Sequence, residues 1–329
     1  MNVLLTGATG YLGTHVQRVL EEQGIDYAAM SRVPQSEGRY VMADILQPEG
    51  LQEAMEGFDC VIHAAGMVSH DPVEADQVWR IHVEGTRNIL KAAREAGVKR
   101  VVYLSTSGTV AVSEDPKFFA SEDAPTPFSL IKEWPYYRSK LYAEQLALDA
   151  STEDFEVVSL NPTLLLGPGD RSDGESTKSV RMFLDDQLPV SPSGGLSFAD
   201  VRDVATTVVD ALRNGSGGER YLLTSSNMSF LEFYQKIARI ADKPLPMGSV
   251  PKKAHKLLGL FPKWKDIGGS VGIDLKREDL ILASHYWYTD ASKAIDELGW
   301  APRDPLETLE DTVSDIVEKQ NSFMPWPEA

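Results

Sequence analysis

Thr6-Gly7-Ala8-Thr9-Gly10-Tyr11-Leu12-Gly13 closes the candidate strand Asn2–Thr6 and opens a periodic segment over residues 13–23. Strand, glycine turn and helix in that order decide the fold. Glycines at 7, 10 and 13 permit a tight turn, close approach of a pyrophosphate to the backbone, and close packing of helix on strand, while the helix N-terminus favours the anion. Three glycines at this spacing also occur in ordinary turns. Their setting distinguishes them: from residue 1 to about residue 169, short apolar runs alternate with longer amphipathic segments, as strands and covering helices do in a doubly wound parallel α/β sheet.

Working outward, the candidate strands are 2–6, 27–31, 39–43, 60–64, 100–105 and 157–161, several of them nearly continuous apolar runs. Such runs belong to strands covered by helices on both faces. Helical periodicity marks 13–23, 73–96 and 136–150. After Gly167-Pro168-Gly169-Asp170 the texture changes to a polar stretch ending at Lys178, a short helix, and a loop over 189–195 rich in Pro, Ser and Gly. Helices are expected again at 203–213, 230–240, 292–298 and 307–319. The expected division is a Rossmann-type dinucleotide-binding domain over 1–170 and a smaller lobe over 171–329 that completes a substrate cleft. Parts of 196–225 and 285–292 are expected to contribute to the first core.

The 329 residues, 42% of them hydrophobic, suffice for a large core. A formal charge of −17, from 32 basic and 49 acidic residues, argues against a nucleic-acid partner, since phosphate neutralisation needs clustered Lys and Arg. Cys60 is the sole cysteine, which rules out an intrachain disulfide and suits a reducing compartment. No basic leader precedes the first strand and no run approaches the roughly 20 apolar residues of a membrane span. A soluble, cytoplasmic protein is the expectation.

Several residues bear on cofactor and chemistry. Where a free ribose 2′-hydroxyl is usually met by Asp or Glu after the second strand, this chain has Ser31-Arg32. A guanidinium and a hydroxyl suit a 2′-phosphate, so NADP(H) is expected over NAD(H); a solvated loop cation is the plainer alternative. Asp44, with Ile45 beside it, stands after the third strand, placed to accept from an adenine amino group or to cap the following helix. Tyr136 and Lys140, four apart on a helical pattern, share one face. A phenol of ordinary pKa about 10 is a poor base at neutral pH, and a cation beside it favours the phenolate. The fifth strand runs into Ser105-Thr106-Ser107, hydroxyls at the carboxyl end where open α/β sheets bind ligands.

Together with His63-Ala64-Ala65-Gly66, Val83-Glu84-Gly85-Thr86 and Asn161-Pro162, these motifs resemble the extended short-chain dehydrogenase/reductase family over most of the chain. Tyr136 through Leu141 with Ala143-Glu144-Gln145, Gly167-Pro168-Gly169-Asp170, residues 200–205 and Gly218-Glu219-Arg220-Tyr221 resemble its dihydroflavonol 4-reductase-like branch. The resemblance implies that Tyr136 is the catalytic acid or base, and that Lys140 holds the nicotinamide ribose while lowering the pKa of Tyr136. It implies Ser107 as the hydroxyl that orients the carbonyl, with Thr106 the close rival. Pro162 would sit by the nicotinamide, with Asn161 before it. Ala64 and Ala65, followed by Gly66, would line the cofactor channel, and Ser105 and Thr106 would border it. Relatives often carry Asn where this chain has His82; a satisfied helix histidine, a proton relay and a cofactor contact are its candidate roles. A homodimer built on the helices 73–96 and 136–150 is the implied assembly.

The expected activity is NADP(H)-dependent reduction of a ketone or aldehyde, or the reverse oxidation of an alcohol, on a small-molecule substrate. A nucleotide-sugar epimerase or dehydratase with retained cofactor is the rival, for which Arg171, Lys178 and Arg181 offer cations. A non-catalytic dinucleotide sensor is a third reading. The basic and apolar stretch 251–265 reads as a helix of the small lobe, with a membrane contact or a substrate cap as alternatives.

Overall fold

The computed structural model describes residues 1–35, 38–170, 174–188, 190–246, 248–249 and 277–323. Arg171 and the stretch 251–265 lie outside the described residues. The first half holds six strands, β1 (Asn2–Thr6), β2 (Asp26–Ser31), β3 (Tyr40–Met42), β4 (Cys60–His63), β5 (Arg100–Leu104) and β6 (Glu156–Pro162), with helices between all neighbours except β2 and β3. They are followed by β7 (Leu164–Leu166), β8 (Gly195–Asp200), β9 (Arg220–Leu223) and β10 (Ser226–Ser229).

Seven strands form one parallel sheet in the order β3-β2-β1-β4-β5-β6-β9. The chain winds outward from β1 to β3 and returns on the other side at β4, so the order reverses between β1 and β4. Crevices at the carboxyl ends of strands at such a reversal are where ligands bind in this architecture. Thr6 and His63 are partners in register, so the glycine turn and Ala64-Ala65-Gly66 leave the sheet side by side.

Alternation along the strands supplies two cores. Val3 and Leu5 face the helices Tyr11–Glu22 and Val201–Asp210, meeting Val16, Leu20, Val204 and Val208. Leu4 faces the opposite way with Val61, Val101 and Val157, against Ile89 and Ala93 of Gly85–Glu95 and Ala143 and Ala147 of Pro135–Asp149. Period-two side-chain direction on a sheet covered on both sides accounts for both. Pro135 opens its helix at the first position, where the missing N–H costs nothing. The stretch 73–96 is not one regular helix. It runs as a 3-10 turn Pro72–Glu74, a helix Ala75–Trp79, a π-turn Arg80–Glu84 and the helix Gly85–Glu95.

A second sheet has three strands, β10-β8-β7, antiparallel between β10 and β8 and parallel between β8 and β7. Of residues 196–225, only β9 joins the large sheet; β8 belongs to the small one. Residues 285–292 make isolated bridges, Ser113 and Gly195 with Tyr286 and Ala120 with Thr289. The polar stretch ending at Lys178 already contains the start of a helix, Glu175–Leu184. Its buried residues Thr177, Val180, Phe183 and Leu184 follow helical spacing, but the three polar residues before Val180 hide that pattern. Leu309, Val313 and Phe233 complete this core. No helix among the described residues is long and apolar enough to cross a membrane.

An ion-pair network centred on Asp200 joins the end of β8 to the helices Val201–Asp210 and Pro305–Phe323. Asp200, fully buried, accepts from Arg202 through both carboxylate oxygens at 2.9 and 2.7 Å, and Arg303 Nε stands 3.5 Å away. Arg202 also reaches Asp311 at 2.7 Å. Burial alone would raise the Asp200 pKa, but the Arg202 bonds and charge outweigh it and hold the carboxyl below its usual value. Breaking one partner of such a pair costs about 3–5 kcal/mol, so Asp200→Asn is expected to lower the urea midpoint markedly at pH 7. The folded chain favours the carboxylate, so this contribution is complete above the ordinary carboxylate range and fades as pH falls through the lower folded value. Wild type and Asp200→Asn unfolding at the same urea midpoint would contradict this.

Candidate active site

The glycine turn has no room for side chains. Gly7 has φ +73°, and a Cβ there would lie 2.6 Å from the Ala64 carbonyl carbon; a Cβ at Gly13 would lie 2.1 Å from the Gly7 oxygen. Gly10 N donates to Gly7 O at 3.0 Å, and Gly10 caps the helix Tyr11–Glu22 without any side-chain bond to its first N–H groups. The turn is held from both sides. Thr6 Oγ1 bonds His63 Nδ1 at 2.8 Å and accepts from Ala65 N at 3.1 Å, and His63 Nε2 reaches Thr86 Oγ1 at 3.1 Å. Burial, assisted by the Lys140 charge, pushes His63 down to about 3, so it stays neutral. On the other side Tyr11 Oη donates to Gly167 O at 2.7 Å.

A cavity of ≈ 550 Å³ begins at this turn, with Gly7, Gly10, Tyr11, Leu12 and Gly13 on its wall, and continues past Ala64, Gly66 and His82. It then reaches Ser105, Thr106, Ser107, Tyr136, Lys140 and Pro162. These candidates, scattered through the sequence, share one space. Thr6 and Asn161 are buried and Ala65 half-buried, none of them on that wall, while Thr9 and Arg32 are exposed. The Ser31 hydroxyl is tied into its own loop, donating to Val33 O at 2.6 Å and accepting from Gln35 Nε2 at 2.8 Å. Asp44 accepts from Leu46 N at 2.9 Å. This turn ends well before the next helix, Leu51–Met55, whose cap is Gly50, so Asp44 is not a helix cap. Ile45 packs against Gly85 and its carbonyl accepts from Asn88 Nδ2 at 2.9 Å, fixing that loop to the helix Gly85–Glu95.

Tyr136 sits in the first turn of Pro135–Asp149 and Lys140 one turn later. Burial pushes the Tyr136 phenol up to about 12, opposed by a hydrogen bond with the Thr106 side chain. Lys140 Nζ donates to Leu104 O at 2.7 Å and lies 5.4 Å from the Tyr103 ring centre. Burial brings the ammonium down to about 8, with the Glu144 charge opposing. The phenol is thus raised, not lowered, in this arrangement, through loss of water, while Lys140 is engaged with the Leu104 carbonyl. Thr106 caps the 3-10 turn Ser107–Thr109, and Ser107 is buried at the cavity edge.

Behind these groups lies Glu144, 1% exposed. Its carboxylate accepts from Thr109 Oγ1 at 3.0 Å, from Asn161 Nδ2 at 2.7 Å and from the Ser105 hydroxyl, and Arg220 Nη1 stands 3.1 Å from its other oxygen. Asn161 Nδ2 also donates to Thr106 O at 3.1 Å. The sequence placed Glu144 in a motif but gave it no role, although its spacing four after Lys140 on the same helix was a signal.

His82 lies in the π-turn, 1% exposed. Its Nε2 accepts from Met67 N at 3.1 Å, which assigns the proton to Nδ1, 2.7 Å from Ser139 Oγ. Ser139 in turn donates to Tyr136 O at 2.8 Å. Burial, with the charge of Lys140, holds His82 well below its usual pKa, so it is a neutral, satisfied histidine bracing the Tyr136 turn. His70, which sequence reasoning passed over, meets the Tyr136 ring edge-on at 5.7 Å and stacks on Tyr137 at 5.4 Å.

Residues 3–223 match the model of the NAD dependent epimerase/dehydratase family. The chain is 30% identical to a Synechocystis protein named "Putative dihydroflavonol 4-reductase", over 94% of this chain and 92% of that one. It is 31% identical to cinnamoyl-CoA reductase 1 of Arabidopsis thaliana, over 74% and 76% of the two chains. The crystal structure of gox2253 superposes with a TM-score of 0.83 at 26% identity, covering 98% of this chain and 99% of that one.

Proposed function

The chain belongs to the NAD-dependent epimerase/dehydratase family, and from that premise we propose that it is an NADP(H)-dependent oxidoreductase reducing a ketone or aldehyde to an alcohol. One observation carries the reading: Tyr136, with Thr106 and Ser107 beside it, opens into the same cavity as a glycine turn that has no space for a Cβ at Gly7 or Gly13. The turn at Gly7, Gly10 and Gly13 and the uncapped helix start at Tyr11 fit a pyrophosphate. The relatives named as reductases support the direction.

A nicotinamide dinucleotide supplies or accepts the hydride when bound. The chain's own groups handle the oxygen and the proton. A hydroxyl at Ser107 or Thr106 bonds the carbonyl oxygen and holds it beside Tyr136. Both hydroxyls line the same wall as Tyr136. As the carbonyl carbon gains a hydride and its two electrons, the oxygen becomes an alkoxide and takes the Tyr136 proton. A phenol raised to about 12 keeps that proton at neutral pH, which suits reduction. Lys140, one helical turn away and bonded to the Leu104 carbonyl, would hold the nicotinamide ribose. Purified protein incubated with NADPH and a panel of ketones and aldehydes tests this; NADPH oxidation dependent on Tyr136 is expected, and its absence across the panel removes the reading.

The 2′-phosphate preference rests on Arg32, exposed after β2 with no carboxylate paired to it among the described residues. A charge-assisted bond is worth about 1.5–3 kcal/mol, so Arg32→Ala is expected to weaken NADPH binding about 10- to 100-fold and leave NADH binding unchanged. Equal losses for both cofactors would remove Arg32 from that role.

A further inference from the structure

The cavity has two unlike walls. The glycine turn, Ala64 and Pro162 form one. The other comes from the small lobe and the loops facing it: Met182 of the helix Glu175–Leu184, Leu188, Leu196 of β8, Phe230 and Tyr234 of the helix Phe230–Ile240, and Trp287. Tyr234 is buried and its ring stacks on Phe183 at 5.2 Å and Phe230 at 6.3 Å, so these aromatic positions are held by packing. Trp287 leans on Tyr137 at 4.8 Å, and Tyr137 on Tyr136 at 5.1 Å, so the apolar wall runs up to the phenol itself.

Charge is scarce along this space. Among the described lining residues the lysines are Lys140, committed to the Leu104 carbonyl, and Lys178, and the one carboxylate is Asp279. Arg181, one turn from Lys178, donates to Thr177 Oγ1 at 3.1 Å and is absent from the described wall. A nucleoside diphosphate brings two phosphates that need several charge-assisted partners, and burying them against Met, Leu and Phe side chains leaves them unpaired. A hydrocarbon body gains from the same wall in proportion to the area it removes from water.

Resting on the oxidoreductase reading, we propose that the substrate is an uncharged ketone or aldehyde with a hydrocarbon body larger than one six-membered ring. That body lies against Met182, Leu188, Leu196, Phe230 and Trp287, and the reacting carbonyl is its one obligatory polar group. The wall selects by buried apolar area, and Tyr136 with its neighbouring hydroxyl selects the carbonyl.

The test is a kcat/KM series with NADPH on cyclohexanone, 4-tert-butylcyclohexanone and 2-decalone, with UDP-glucose as a competing ligand. Each buried methylene is worth about a fourfold gain, so a rise of at least about tenfold from cyclohexanone to 2-decalone is expected, with no inhibition by millimolar UDP-glucose. Met182→Lys, at a half-buried position, is expected to erase most of the difference between 2-decalone and cyclohexanone. A flat or falling series, or inhibition by micromolar UDP-glucose, overturns the substrate class while cyclohexanone turnover leaves the oxidoreductase reading standing. If NADPH binds and none of the ketones is reduced, both fall.

Discussion

Tyr136→Phe is expected to lower kcat for NADPH-dependent carbonyl reduction about 10²- to 10⁴-fold, the usual worth of a positioned acid. The change removes one oxygen and keeps the ring, which packs edge-on against His70, His82 and Tyr137 at 5.7, 5.6 and 5.1 Å. Melting temperature and NADPH affinity should therefore hold while turnover collapses. The pH behaviour follows from the raised phenol. Reduction needs the protonated form, which a pKa pushed up to about 12 maintains across neutrality, whereas oxidation of the product alcohol needs the phenolate and is expected to accelerate from about pH 7 to 9. A variant retaining a tenth or more of wild-type kcat would show that another group delivers the proton.

The second large effect is expected at Gly13. A methyl group there would stand 2.1 Å from the Gly7 oxygen and 2.9 Å from the Ala8 Cα and carbonyl carbon, all of them backbone atoms. No side-chain rotation relieves that contact, so Gly13→Ala must move either the helix Tyr11–Glu22 or the turn. Overpacking of this kind costs about 1–3 kcal/mol, and the displaced turn is the surface that fits a pyrophosphate. A melting temperature lower by several degrees and NADPH binding weaker by at least about 100-fold are expected, read by thermal unfolding with and without NADPH. Stabilisation by NADPH equal to that of wild type would show that the turn does not hold the dinucleotide.

Much of the fold is legible in the chain because its signals are local. The strands β1, β4, β5 and β6 are apolar runs of period-compatible length, and the helices 230–240 and 292–298 coincide with Phe230–Ile240 and Ser292–Leu298. Where local pattern failed, the cause is identifiable. The helix Glu175–Leu184 starts with polar residues whose buried face appears only once the small sheet covers it. The π-turn Arg80–Glu84 was not anticipated, since it depends on His82 reaching Met67 N and Ser139 from distant parts of the chain.

The candidate site divides the same way. Glycine spacing and the Tyr136–Lys140 interval are short-range features, readable because a turn needs particular φ values and a helix brings i and i+4 together. Glu144 is legible as a helical neighbour of Lys140, but its meeting with Ser105, Thr109, Asn161 and Arg220 is not, for those four come from three separate regions of the chain. Strand order decides that meeting: β5 beside β6, and β6 beside β9. The opening glycine turn was therefore determined by the sequence itself, through the backbone freedom of Gly7 and the missing Cβ of Gly13. Only the tertiary structure decided that Gly167 would hold Tyr11, that Thr106 and Tyr136 would line one cavity, and that Met182, Leu196 and Phe230 would line it with them. Those contacts join residues far apart in the chain, and burial, not local preference, selects them.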